Sequence, residues 1–365
     1  MRICFISAGA FAHVGLYLDH FHEAGHDVHF IALSPSPPRS VPVHDVGFGG
    51  RVAPGRGKWR YPLGMLRARR LVKRLRPDIV HAHYATSGGL AGLVCGHEPT
   101  VVTAHGTDLT AGVESWIWRP LLKAVFERAA CVNTVSSDLT RMAMSLGVAR
   151  HRIAELTPGV DTARFHPAGG PASGGSEGVR LICTRRLEPT YDPRTIVEAL
   201  AILRKKGVRF KMTFAGAGPL RGELEAAVAR RGLGDAVAFI GEIQGDAMPA
   251  LLRAHDVYLS ASRADGASLS LLEAMSAGLF PVVSRIPANE AWLEHGTGGL
   301  LHGVGDPEEL AACVLESARR PVLAASAAAL NRAKVLAAGD RAANMRRLET
   351  IYEELVARRA VRSNR

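Results

Sequence analysis

Ser262–Gly278 reads Ser-Arg-Ala-Asp-Gly-Ala-Ser-Leu-Ser-Leu-Leu-Glu-Ala-Met-Ser-Ala-Gly. Asp265 and Gly266 open a polar turn, a helix-forming run carrying Glu273 follows, and Gly278 stops it. Phe280–Ser284 is then a short apolar strand. The loop and the first helical turn offer unused N–H groups and the positive end of a helix dipole, which suit a phosphate. Glu273 falls about one turn into the helix, where its carboxylate can accept hydrogen bonds from a diol such as a ribose. Asp265, eight residues earlier, can face another part of the same ligand. A second reading fits equally well: Ser270-Leu-Leu-Glu273 has the spacing of a capping box, in which Glu273 only satisfies an orphan N–H.

Outward from this stretch, short apolar runs alternate with helical patterns. Ile3–Ser7, a helical Leu16–Ala24 stopped by Gly25, and Asp27–Leu33 make strand, helix, strand, the start of a doubly wound α/β sheet. Val41–Val46, Asp78–His83, Val101–Ala104 and Ala130–Val135 extend the strand series. The two segments ending in His81-Ala-His83 and His105-Gly-Thr-Asp108 put polar residues where open α/β sheets bind ligands, at the carboxyl ends of strands. His-x-His with His105 and Asp108 raises a metal site, but beyond Asp108 no carboxylate clearly completes the set. Arg51, Arg56, Lys58 and Arg60 make a basic loop interleaved with Trp59 and Tyr61. The helix Leu63–Arg76 carries one apolar stripe and a basic remainder, which fits either a solvated surface or an anionic membrane. Ala168–Gly178 is a Gly/Ser/Pro linker. After it come the strands Val179–Thr184, Phe210–Phe214, Val237–Gly241 and Asp256–Ser260, and finally a long charged helix, Arg341–Arg359.

With 365 residues, 47% of them hydrophobic, the chain has room for two domains. No apolar run reaches the length of a membrane-spanning helix, and the first residues enter a strand pattern without the features of a signal peptide, so a cytoplasmic location is expected. Five scattered cysteines without a C-x-x-C fit buried thiols in a reducing compartment. The formal charge is +11, and residues 1–168 hold 19 Lys/Arg against 12 Asp/Glu, so anionic partners are favoured. No nucleic-acid reading module accompanies that charge, and nucleic acid is not expected.

The Asp265-x7-Glu273 pattern inside a loop–helix ending Leu-Glu-Ala-Met-x-x-Gly resembles the signature of retaining family-4 glycosyltransferases of the GT-B fold, with Asp265 in place of the usual first Glu. Further ordered segments carry the resemblance: Ala24-Gly-His-Asp-Val28, Pro77-Asp-Ile-Val-His81-Ala-His83, Thr103-Ala-His105-Gly-Thr-Asp108, Gly159-Val-Asp161 with Phe165 and Pro167, and Ala215-Gly216-Ala-Gly218-Pro-Leu220. The resemblance implies an α/β fold of two Rossmann-like domains facing a cleft, residues 1–167 on the acceptor side and 179–340 holding a nucleotide sugar, with the helix 341–359 packing back on the first. It implies that Glu273 binds ribose hydroxyls, that Asp265 binds sugar hydroxyls and helps place the developing oxocarbenium ion, and that backbone N–H groups around Gly266, Ser268, Leu269 and Ser270 touch sugar and phosphates. His105 would approach the donor sugar. His13, His83 and Asp108 stand on the acceptor side, and a core position suits His81 better. Ile243 would pack near the base and Gly216 would line the donor loop, unless its glycines serve turn geometry alone.

One departure concerns charge. The family's Gly-Arg-Leu-x-x-x-Lys-Gly holds the donor diphosphate with its Arg and Lys; Arg186 matches the Arg, but Tyr191 and Asp192 stand at the Lys and Gly. Arg185 or Arg194 would then have to compensate. The implied reaction moves a sugar from a nucleoside-diphosphate sugar to a hydroxyl acceptor, with retention and without metal or other cofactor. The rivals are a GT-B phosphorylase or epimerase and a non-catalytic sugar-nucleotide or anionic-polymer binding protein of the same fold.

Overall fold

The computed structural model describes residues 1–9, 12–37, 39–47, 61–167, 178–243 and 245–363. The basic loop 51–60 and all but the last residue of the expected linker lie outside them. The chain forms two compact units, one of residues 1–158 with 342–365 and the other of residues 159–341. Residues 159–167, read from sequence as the end of the first domain, therefore group with the second.

In the first unit, β1 (Arg2–Ser7), β2 (Asp27–Ala32), β3 (Val43–Asp45), β4 (Ile79–His83), β5 (Thr100–Ala104), β6 (Cys131–Thr134) and β7 (Ile153–Glu155) form one sheet in the order β3-β2-β1-β4-β5-β6-β7. In the second, β8 (Val179–Cys183), β9 (Phe210–Phe214), β10 (Val237–Phe239), β11 (Val257–Ser260), β12 (Phe280–Ser284) and β13 (Leu300–His302) form the order β10-β9-β8-β11-β12-β13. Every pairing is parallel. Parallel strands need crossover helices, which cover both faces, so the strands are apolar on both sides. The strand residues divide accordingly: Leu181, Cys183, Val257, Leu259, Phe280 and Val282 enter one core, and Ile182, Tyr258 and Val283 the opposite one. The doubly wound expectation holds in both units. The strand order reverses between β1 and β4 and again between β8 and β11, and ligands bind in the crevices outside the carboxyl ends of such strand pairs.

The helix Arg341–Ser363 belongs, from Ala342 onward, to the first unit. Its Met345, Leu348 and Tyr352 join Ile3, Phe5 and Phe21 in one buried cluster. The Tyr352 hydroxyl bonds His81 Nδ1, and His26 Nε2 lies 2.7 Å from Glu349. The five cysteines are buried and unpaired. Among the described residues no helix is long and apolar enough to cross a membrane. Since Tyr352 is fully buried, Tyr352→Ala should destabilise the first unit by about 3–5 kcal/mol. Amide exchange is the measurement: protection of β1 and β4 should fall while that of β8 and β11 is kept, and equal losses in both sheets would contradict the assignment of this helix.

Candidate functional site

At the carboxyl end of β8 the chain runs Thr184-Arg185-Arg186, and successive residues of an extended segment point to opposite sides. Arg185 turns inward and is 10% exposed. Its Nη2 donates to Asp265 Oδ2 at 2.5 Å, and its Nη1 donates to Ser270 Oγ at 2.9 Å and Ser268 Oγ at 3.3 Å. The Tyr258 hydroxyl of β11 lies 2.8 Å from the same Ser270 Oγ. The guanidinium stacks over the Tyr191 ring at 4.1 Å. Arg186 turns outward, is 71% exposed and pairs with Glu188 at 2.8 Å. Of the two neighbouring arginines, the structure thus brings Arg185 together with Asp265, Ser268 and Ser270, and leaves Arg186 apart from them.

The helix Leu269–Ala277 starts after Ser268 and ends at Gly278, which has the left-handed φ of 87° that glycine tolerates best. Ser268 makes no side-chain cap, so the first-turn N–H groups are not satisfied by a side chain. Ser270 is already the second helical residue, its hydroxyl is engaged by Arg185 and Tyr258, and Glu273 lies in the second turn. The capping-box reading is therefore wrong by register. Glu273 is part-buried and makes no hydrogen bond or ion pair with the described residues. Burial raises its pKa to about 7, against the opposing pull of Arg341, Arg185 and Arg164. Asp265 differs: Gly266 N donates to Oδ1 at 2.9 Å and Arg185 holds Oδ2, so both oxygens are occupied.

The loop after β9 closes this side. A Cβ on Gly216 would fall 2.2 Å from the Arg185 carbonyl oxygen, and one on Gly218 would fall 2.3 Å from that of Leu187. These glycines are required by close backbone approach, so Gly216 acts on the site by letting this loop lie against the segment that carries Arg185. Ile243 packs part-buried on the core that contains Tyr258 and Leu271. Asp192 takes the place of the pattern's second glycine at φ 42°, a left-handed conformation that Asp tolerates, and accepts from Thr195 Oγ1 and Arg263 Nη2 at 2.9 and 2.7 Å.

In the first unit the crevice gathers imidazoles. His83 ends β4 and His105 follows β5; His83 Nδ1 and His105 Nε2 share one hydrogen bond of 2.9 Å. The His13 ring lies 4.5 Å from that of His105, tilted by 49°, and its Nε2 lies 2.5 Å from the Tyr84 hydroxyl. Tyr84 has φ 66°, a strained value for an aromatic residue, and sequence reading missed it although it directly follows the His-Ala-His run. Burial lowers the pKa of His13 to about 4 and holds His83 and His105 well below the ordinary value, with neighbouring imidazoles adding to the effect on the latter two. His81 is a core residue, bonded to Thr103 Oγ1 at 2.6 Å. Asp108, expected on the acceptor side, instead spends its oxygens on the N–H groups of Ala85, His105 and Gly106 at 2.7, 3.1 and 2.9 Å. It fixes the turn after β5, where Gly106 has φ 139°. Among the described residues no three His, Cys, Asp or Glu side chains are grouped to hold a metal ion.

Residues 8–164 match the family described as Glycosyltransferase Family 4, and residues 178–320 the family described as Glycosyl transferases group 1. The 2-deoxystreptamine glucosyltransferase of Streptomyces kanamyceticus is 31% identical over 65% of this chain and 64% of its own length. The putative colanic acid biosynthesis glycosyltransferase WcaL of Escherichia coli K12 is 28% identical over 58% of this chain and 54% of its own. The matched stretch thus spans between about half and two thirds of these curated relatives. Among solved structures, the sucrose-phosphate synthase of Thermosynechococcus elongatus superposes with a TM-score of 0.81 over 98% of this chain and 99% of its own, at 18% identity. Anabaena Alr3699/HepE in complex with UDP superposes with a TM-score of 0.79 over 97% and 100%, also at 18% identity. At that identity the likeness is one of fold.

The state of Glu273 makes a prediction about stability. A carboxyl whose folded pKa is raised keeps its proton where the unfolded chain has lost it, so stability falls as pH rises from about 4.5 to about 7. Glu273→Gln should remove that loss and stabilise the second unit by up to about 3 kcal/mol at pH 8, with little gain at pH 4.5. Urea denaturation at the two pH values, followed by amide exchange of β8 and β11, tests it; a gain of equal size at both would contradict it.

Proposed function

Because the chain belongs to the family-4 glycosyltransferases of the GT-B fold, we propose that it transfers a sugar from a nucleoside-diphosphate sugar to a hydroxyl acceptor, with retention at the anomeric carbon and without a metal ion. The observation that carries this reading is the pairing of an unpartnered, part-buried Glu273 with a buried Arg185–Asp265 ion pair at the strand-order reversal of the second unit. A donor needs both: an acceptor-only group for the ribose diol and a cation for the diphosphate. The UDP bound by a solved protein of the same fold supports the choice of ligand class.

On this reading Glu273 accepts from the ribose hydroxyls in its ionised form. Asp265, pinned by Gly266 N and Arg185, faces the sugar hydroxyls. First-turn N–H groups after Ser268 meet the sugar and phosphates. The C1–O bond to the phosphate breaks as the acceptor oxygen bonds C1 from the same face, and the acceptor proton passes to the leaving phosphate oxygen. Positioning and charge stabilisation carry such a step, so no dedicated general base is assigned. The imidazoles of the first unit suit a neutral polyol acceptor, since burial keeps them uncharged and they offer directed hydrogen bonds. A binding protein that has lost turnover is the second reading, favoured by Tyr191 at the position of the pattern's lysine.

A thermal-shift series with UDP, ADP and GDP, without metal, tests the donor site. One of them should raise Tm in proportion to RT ln(1 + [L]/Kd), and Glu273→Ala should abolish the rise. Affinity should also weaken as pH falls below about 7, where Glu273 takes up a proton. No rise with any of them in the folded wild type would overturn the reading.

The helix Tyr61–Leu75 supports a reading of where the protein acts. Its Leu63 and Leu66 are 46% and 48% exposed, and its Arg70, Lys73 and Arg74 have no carboxylate partner among the described residues. Other surface arginines have carboxylate partners, as in Arg204–Asp235 and Arg221–Glu225. We propose peripheral contact with anionic lipid at the cytoplasmic membrane face. Arg70→Glu/Lys73→Glu/Arg74→Glu should lose co-sedimentation with phosphatidylglycerol vesicles; binding equal to that of wild type would exclude this surface.

A further inference from the structure

We infer that Arg185, seated on Tyr191, carries the charge of the donor diphosphate that the family pattern assigns to a lysine at position 191. The inference rests on the nucleotide-sugar reading and concerns how this chain meets it without that lysine.

Four arginines surround the exit of β8. Arg194 is held by Glu223 in a two-bond pair at 2.5 and 2.6 Å and is half exposed. Arg263 donates to the buried Asp192 at 2.7 Å. Arg186 is turned to solvent with Glu188. Arg185 alone reaches the turn and first helical residues that form the site, through Asp265, Ser268 and Ser270. Its Nε is buried and has no partner among the described residues.

Tyr191 explains the substitution physically. It cannot neutralise a phosphate, but its ring face attracts and orients a guanidinium lying 4.1 Å above it. A lysine at 191 would replace that platform with a second cation beside Arg185. Loss of the lysine and burial of the arginine are therefore one change, which exchanges a point charge for a planar fork that can meet two phosphate oxygens. The two serine hydroxyls on Nη1 are neutral acceptors, weaker partners than phosphate oxygens, so a diphosphate can displace them while Nη2 keeps Asp265. Arg185 then both neutralises the diphosphate and positions Asp265, whose carboxylate is one methylene shorter than the usual Glu.

Calorimetric titration of UDP, ADP and GDP, each against its nucleoside, tests this in wild type, Arg185→Ala, Arg185→Lys, Arg186→Ala and Arg185→Ala/Tyr191→Lys. Arg185→Ala should weaken the diphosphate that binds wild type by about 10–100-fold and change its nucleoside by less than about 3-fold, which also shows that the variant is folded. Arg185→Lys should recover only part of the loss, because it lacks the fork. The double variant should recover most of it, by restoring a cation where the family has one. Arg186→Ala should lose less than about 5-fold. Diphosphate binding by Arg185→Ala within about 3-fold of wild type, or a loss confined to Arg186→Ala, would overturn the inference and leave the donor site standing. If wild type binds none of the nucleotides, both fail together. Should Arg185→Ala not fold, Tyr191→Leu serves instead: it keeps the charge and removes the platform, and an unchanged diphosphate affinity would count against the inference.

Discussion

A guanidinium taken out of water calls for partners, and Arg185, answered at both Nη atoms, shows how much of the second unit that requirement organises. Its burial demands a carboxylate, which fixes Asp265 and with it the turn through Gly266. It demands oriented oxygens, which fixes Ser268 and Ser270 and brings in Tyr258 from the neighbouring strand. It demands a flat surface, which Tyr191 supplies. The backbone that carries it leaves no room for a side chain on the loop after β9, so Gly216 is dictated from the same point. Removing the arginine alone would leave Asp265 buried and uncompensated, the expensive way to break such a pair.

Both units use the same strand-order reversal, yet they fill the resulting crevices with opposite chemistry. In the second unit the strand ends deliver a charged pair and an uncapped helix start. In the first they deliver His83 and His105, joined to each other, with His13 and Tyr84 alongside. Mutual proximity and burial both disfavour protonation there, so the imidazoles act as neutral donors and acceptors. Such groups discriminate the direction of a hydroxyl and give little to an anion. The same fold thus carries two different chemistries, set by the residues at the two strand-end pairs.

Much of this was legible because strands buried on both faces write themselves as short apolar runs, and because Gly278 marks a helix end that a strand must follow. The run at 257–260 was readable for the first of these reasons. The helix Ser137–Ser145 was not, since a short amphipathic segment between strong strand signals carries few apolar positions, whereas Pro193–Lys205 holds Ile196, Val197, Leu200 and Leu203 at helical spacing and was readable but not read. The choice between Arg185 and Arg186 was hidden for a different reason. Neighbours in an extended segment face opposite ways, and a slip of one residue exchanges the buried side chain for the exposed one. The register of Glu273 was left open for a similar reason: a capping box and a second-turn acid differ only in whether the helix starts at residue 269 or two residues later, and the structure takes the former. Asp108 looked like a ligand-facing acid, but three backbone N–H groups claim it, a demand created by the turn at Gly106 and invisible before that turn is built.

The two acids of the central stretch separate by environment. Asp265 is buried but paired and hydrogen-bonded, so the protein has already supplied what its charge needs. Glu273 has burial without a partner: three arginines lower the energy of its ionised form from a distance, and none of them bonds it. A carboxylate kept in that state is a liability for stability unless something outside the chain completes its hydrogen bonds, and sites are where proteins tolerate such liabilities. A diol meets the need better than a cation would. It donates two hydrogen bonds to one carboxylate and brings no positive charge toward Arg341, Arg185 and Arg164, whose field already favours the ionised form.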